Sequence, residues 1–273
     1  MLRPLRRHTL LLAALACAPA AIAGPTLEEV IKGPQRTPEF VQRDAWRHPL
    51  ETLNFFGIQP TMTVVEIWPG GAGWYTEILA PYLREQGRYI AAIQPLSLPQ
   101  TDDYARKGAE RLRAKLAANP AAYDRTEIGE FRPPEVAATV PPGTADRVLT
   151  FRNVHNWIEG GFEAEAFKAF YAMLKPGGVL GVVEHRAAPG TSRAQSIDSG
   201  YVTEAYIRAL AYSAGFEFAG ASAVNDNPRD TKDHPKGVWT LPPVLRLKDV
   251  DREKYLAIGE SDRMTFKFVK PKR

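Results

Sequence analysis

The sequence has one cysteine, Cys17, close to its N-terminus. A single thiol makes no internal disulfide, and beyond position 17 no thiolate is available as a nucleophile or metal ligand. Long apolar runs are also missing. The most apolar stretch, "TLLLAALACAPAAIA" (9–23), is shorter than the roughly 20 residues a membrane-spanning helix needs. No Ser/Gly-rich linker, internal repeat or low-complexity block interrupts the chain, so one folded domain is expected.

The apolar stretch has informative flanks. Arg3, Arg6 and Arg7 precede it, and Ala21 and Ala23 form an A-x-A exit before Gly24. A basic start, a short apolar centre and a small-residue exit are the marks of a secretory signal peptide. Cleavage is expected after Ala23, and a periplasmic or secreted location follows. Lipid attachment at Cys17 is the rival reading, but Ala14 and Leu15 fit it poorly. The formal net charge is +4, and the signal carries three of those positive charges with no acid. The basic pI is therefore no argument for nucleic acid binding. "ARKGAERLRAK" (105–115), interrupted by Glu110, reads as a solvated helix face.

Residues 24–60 read as a helical arm. "TPEFVQRDAWRHP" has a Thr-Pro-Glu helix start, and "LETLNFFGIQP" stops at Gly57 and Pro60. Over 61–273 strand and helix signals alternate. Strands are expected at 62–67, 88–93, 125–131, 145–151, 179–185, 217–224 and 262–270. Helices are expected at 74–87, with Pro81 inside, and at 103–119, 163–178 (closed by Gly177) and 203–216. This pattern implies an α/β fold, a mostly parallel sheet with helices on both faces.

In such sheets ligands bind beyond the carboxyl ends of the strands. Glu66, Trp68, Gly70, Gly71 and Gly73 lie beyond the first strand, Gln94 beyond the second, and Glu130 and Phe131 at the end of the third. Arg152, Asn153, His155, Asn156 and Trp157 follow the fourth. Glu184, His185 and Arg186 mark the fifth, and Asn225, Asp226, Arg229 and Asp230 follow the sixth. In "TVVEIWPGGAGW" (63–74) a strand runs through glycines into a helix start. Such a turn permits close backbone approach and aims N–H groups at an anionic or polar ligand.

"VVEIWPGGAGWYTEIL", "ADRVLTFRNVHNWI" and "MLKPGGVLGVVEHR" resemble the first motif, the fourth strand and the fifth strand of the class I S-adenosylmethionine-dependent methyltransferases. The resemblance covers about residues 50 to 270. "RDAWRHPLETLNFFGI", "FRNVHNWI" and "SDRMTFKFVKP" are similar to a group of exported, poorly characterised bacterial methyltransferases. The resemblance implies a seven-stranded Rossmann-like sheet with an antiparallel last strand, S-adenosylmethionine as cofactor and a small-molecule acceptor. It places Glu66, Trp68, Gly70, Gly71, Gly73, Gln94, Glu130, Phe131, Arg152 and Asn153 around the cofactor.

Three departures stand out. Trp68 replaces the first glycine, Ala72 the third, and Gln94 the acid expected at the ribose position. An amide still hydrogen-bonds a hydroxyl, without charge assistance. Trp68 is either a wall of a working pocket or a plug in a disused one, and the three retained glycines favour the wall. Arg47 and His48, in the arm, are placed to close over the cofactor or simply to cap helices. His155 and His185 are the candidate catalytic bases. With Glu184 or Asp226 they have the donor types for zinc or iron, but spacing alone supports this poorly and no metal is assigned. The alternative function is a methyltransferase fold that binds a ligand or runs a reaction without S-adenosylmethionine. Export favours that alternative, since the cofactor is made in the cytoplasm.

Overall fold

The computed structural model describes residues 24–272; the expected signal segment 1–23 lies outside the described residues. Four short helices form the arm: α1 (Leu27–Ile31), α2 (Pro38–Val41), α3 (Asp44–Arg47) and α4 (Pro49–Phe55). The rest alternates strand and helix: β1 (Thr63–Ile67), α5 (Thr76–Leu83), β2 (Arg88–Ile93), α6 (Asp103–Ala118), α7 (Pro120–Tyr123), β3 (Glu127–Glu130) and β4 (Ala145–Phe151). Then come α8 (Val154–Gly160), α9 (Glu163–Met173), β5 (Leu174–His185), α10 (Arg193–Ser199), α11 (Glu204–Ser213), β6 (Glu217–Ser222), α12 (Arg252–Ile258) and β7 (Arg263–Val269). The short helices α7, α8, α10 and α12 are additions to those expected.

The seven strands form one sheet in the order β3-β2-β1-β4-β5-β7-β6. β7 runs antiparallel to both its neighbours. This is the expected fold class. Strand alternation feeds two cores. Val65 and Ile67 pack with Trp157, Phe167 and Phe170 on one face, and Val64 packs with Leu53, Ile78 and Leu83 on the other. Both faces of the central strands are covered, which explains their unbroken apolar character.

One expected helix is shorter than the sequence suggested. α9 ends at Met173, and 174–178 belong to β5. Pro176 cannot continue a helix and pushes Lys175 towards extended backbone. Gly177, at φ +78°, donates to the Lys270 carbonyl at 2.7 Å, which ties the turn to the end of β7.

The arm is anchored at two buried carboxylates. Glu77 on α5 accepts from the Thr37 N–H at 2.9 Å and its hydroxyl at 2.5 Å, and it pairs with Lys115. Glu260 accepts from Arg43 at 2.7 Å and Arg47 at 3.1 Å. The second anchor holds the arm over the edge of the sheet where β1, β4 and β5 end and β7 begins.

Candidate active site

Trp68 takes a backbone conformation that favours glycine. Its φ is +51°, a left-handed value that bulky side chains rarely adopt and that costs about 1–2 kcal/mol. The Trp68 N–H extends the pairing with β2 to the Ala92 carbonyl at 2.8 Å. Its indole N–H donates to the Phe131 carbonyl at 2.8 Å, and its ring meets Trp157 edge-on at 5.9 Å. The ring is thus fixed across the ends of β1 and β3.

Trp68, Gly70, Gly71, Gln94, Tyr104 and Gly108 line a cleft of about 70 Å³. Gly70 is at φ +71°, and a Cβ there meets nothing within 4 Å, so this backbone faces open space. Gly71 is different. A Cβ there falls 2.6 Å from the Gly108 Cα, so α6 rests directly on the loop. Gly73, at φ +60°, sits under Leu112 of α6. Sites for molecules of cofactor size span roughly 300–1,000 Å³. The loop's chemistry fits S-adenosylmethionine, with open backbone at Gly70 and an amide at Gln94. The cleft is smaller than that range, and α6 forms its outer wall.

Glu66 is buried and accepts from the Tyr89 hydroxyl at 2.5 Å. Burial raises its pKa to about 7, against the lowering effect of that bond. Asn153 spends its amide on the Ile67 carbonyl at 2.8 Å and the Trp68 carbonyl at 3.3 Å, holding the ends of β1 and β4 together. The Phe131 ring is fully buried in the core, and only its carbonyl reaches the site, through Trp68. Glu130 accepts from the Leu96 N–H at 3.3 Å.

The two histidines come together because β4 and β5 are neighbours; their ring centroids are 5.4 Å apart. His155 lies on α8, a helix missing from the sequence reading and closed by Gly161 at φ +72°. His155 Nδ1 lies 3.0 Å from Glu184 Oε1. Glu184 is fully buried and also accepts from the Val154 N–H at 2.6 Å and the His185 N–H at 2.9 Å. A carboxylate acceptor puts the His155 proton on Nδ1 and leaves Nε2 free. His185 Nδ1 meets the Ser261 hydroxyl at 2.5 Å. Burial, then His155, Arg152, Arg263 and Arg47, push the His185 pKa well below the usual histidine value, so its ring stays neutral.

His155, Glu184 and His185 offer ligand atoms within 4.8 Å of one another, a donor set a metal ion could use. Two observations weigh against a cation there. The Glu184 oxygens are already aimed at three N–H groups, and the field at His185 is positive. Asp226, the other carboxylate considered from sequence, pairs instead with Arg186.

Sequence reasoning missed Ser261, Glu260 and Arg263. They precede or begin β7, and Arg263 lies opposite His185. An antiparallel strand enters the sheet at the edge where parallel strands leave it. Its first residues, rather than its last, belong to the site.

The seven-stranded, mostly parallel sheet with its reversed last strand matches the Rossmann-like methyltransferase fold. The chain is similar in structure to an S-adenosylmethionine-dependent methyltransferase from Aquifex aeolicus, at TM-score 0.55 and 13% identity, over 90% of this chain and 98% of that one. It is also similar to the [4+2]-cyclase SpnF, at TM-score 0.53 and 14% identity, over 90% of this chain and 91% of that one. A third likeness is to the S-adenosylmethionine-dependent methyltransferase SibL, at TM-score 0.50 and 14% identity, over 85% of this chain and 57% of that one. At these identities the likeness is one of fold. No protein-family model and no curated protein matches the sequence.

Proposed function

We propose that the protein transfers a methyl group from S-adenosylmethionine to a small-molecule acceptor in the bacterial envelope. The observation that carries this reading is the placement of the Gly70 loop and the Glu184-oriented His155 on one edge of the methyltransferase sheet. Gly70, Gly71 and Gln94 would hold the cofactor, which supplies an electrophilic methyl on a sulfonium when bound. His155 Nε2 takes the proton that an amine or hydroxyl acceptor gives up. Glu184 acts through His155, fixing its tautomer and stabilising the imidazolium. The basic, apolar and A-x-A segments before Gly24 support export. Incubation with methyl-labelled cofactor and small molecules extracted from the envelope tests the reading. Label should enter a small molecule with wild type and fall by about 10²–10⁴ with His155→Ala; equal labelling by the two would contradict it.

The small cleft favours a second reading, in which Trp68 closes the pocket and the fold binds a ligand or serves a reaction without methyl transfer. Failure of S-adenosylhomocysteine to bind would select that reading.

A further inference from the structure

The histidines sit beside an unusual concentration of positive charge. Arg43 and Arg47 come from the arm, Arg152 from the turn after β4 and Arg263 from the start of β7. One carboxylate, Glu260, serves three of them, accepting from Arg43 Nε at 2.7 Å, Arg47 Nε at 3.1 Å and Arg263 Nη1 at 3.0 Å. The nearby acids are engaged elsewhere. Asp262 pairs with Lys232 at 2.9 Å and Arg186 at 3.5 Å. Asp230 accepts from Tyr201 and lies 2.9 Å from His234 Nε2. Glu184 accepts from N–H groups. The neutral His185 supplies no counter-charge. Four guanidiniums thus face one carboxylate.

Donors are left over as well. Arg43 Nη2 and Arg263 Nε are buried without an acceptor. Arg152 makes no side-chain hydrogen bond or ion pair among the described residues, yet its guanidinium is not sealed from solvent. Its backbone is left-handed, at φ +64°. Burial, then Arg47, Arg263 and Arg43, push its pKa down to about 9, although Glu260 opposes them. Packing does not reward an unpaired arginine on strained backbone among three like charges. A ligand with the opposite charge does.

We propose that Arg152, with Arg47 and Arg263, binds an oxyanion group, a carboxylate or phosphate, carried by the molecule whose reactive end reaches His155. Arg152 is three positions before His155 in sequence, and its charge is felt at His185. The acceptor class is therefore a small acid with a nucleophilic atom some distance from its anionic end. The cofactor's amino-acid carboxylate is the other oxyanion to consider. Distance does not separate the two, because Arg152 follows β4, the strand next to β1, and Arg47 lies over the Trp74 ring at 4.8 Å, just past the loop. The place of Arg263 opposite His185 favours the acceptor, and the cofactor arm of the test below separates the two sources.

Oxyanion binding by the arginines stands without methyl transfer, whereas its assignment to the acceptor rests on the proposed function. Inorganic phosphate and malonate are titrated calorimetrically into the protein in a low-salt buffer free of other oxyanions. Saturable binding is expected, weakened at least tenfold by Arg152→Met and unchanged by Arg113→Met on the exposed face of α6. In that buffer Arg152→Met should melt no lower than wild type, because it removes an uncompensated charge. Repetition with saturating S-adenosylhomocysteine should leave phosphate affinity unchanged. No saturable binding of either anion, equal affinity in Arg152→Met, or a lower melting temperature for it without anion would overturn the site. Loss of phosphate binding with S-adenosylhomocysteine bound would assign the cluster to the cofactor and overturn the acceptor claim. If S-adenosylhomocysteine does not bind, the methyl-transfer reading fails while the phosphate titration still decides this one.

Discussion

Glu66→Gln should change how stability depends on pH. The Glu66 side chain is buried, and its pKa stands at about 7 in the folded protein against an ordinary 4.5. A raised carboxyl pKa means that the folded state holds the proton more tightly than the unfolded one. The contribution is therefore fully present below pH 4.5 and is lost as pH rises through about 7. The displacement corresponds to about 3 kcal/mol between those limits. Glutamine is neutral throughout and keeps an oxygen to accept from the Tyr89 hydroxyl. Urea unfolding of wild type and Glu66→Gln at pH 4, 5, 6, 7 and 8 isolates the effect, because other titrating groups cancel in the difference. The stability of Glu66→Gln relative to wild type should climb by about 3 kcal/mol from pH 4 to pH 8, with most of the climb between 4.5 and 7. A flat difference, or one that falls with pH, would show that Glu66 ionises freely in the folded protein and would refute the argument.

Three further outcomes follow from the site. Glu260→Gln removes the negative charge and one of the two accepting oxygens shared by Arg43, Arg47 and Arg263 and should lower stability by about 3–5 kcal/mol in urea unfolding; a loss under 1 kcal/mol would mean the arm is held by other contacts. Gly70→Val places a β-branched residue at φ +71° facing open space, so S-adenosylhomocysteine binding should vanish in calorimetry while circular dichroism stays native; unchanged affinity would remove the loop from the site. Trp68→Ala should weaken S-adenosylhomocysteine binding by roughly 1–3 kcal/mol if the indole is a wall of the pocket, and tighter binding would make it a plug.

The sequence carries most of the sheet. β2 and β4 lie where their apolar, β-branched runs put them, because buried parallel strands leave a local signature. The meeting of His155 and His185 follows from strand order, a property of the fold resemblance rather than of spacing. Other features have no local signal. Trp68 marks a departure in the motif, but its left-handed backbone and its bond to Phe131 depend on elements 63 residues apart. α8 is short, and its apolar residues, Val154, Trp157 and Ile158, are too few to show a period. The Glu260–arginine cluster joins residues more than 200 positions apart, and only the reversed direction of β7 brings them to the ligand edge.

The central claim, that this edge of the sheet holds S-adenosylmethionine for transfer, is tested most directly by calorimetric titration of the wild-type protein with S-adenosylhomocysteine. The account predicts one saturable site per chain, lost in Gly70→Val, with outward movement of α6 seen as faster amide hydrogen exchange around Gly108. Absence of binding at millimolar ligand, with the protein folded and α6 unchanged in exchange, would contradict it.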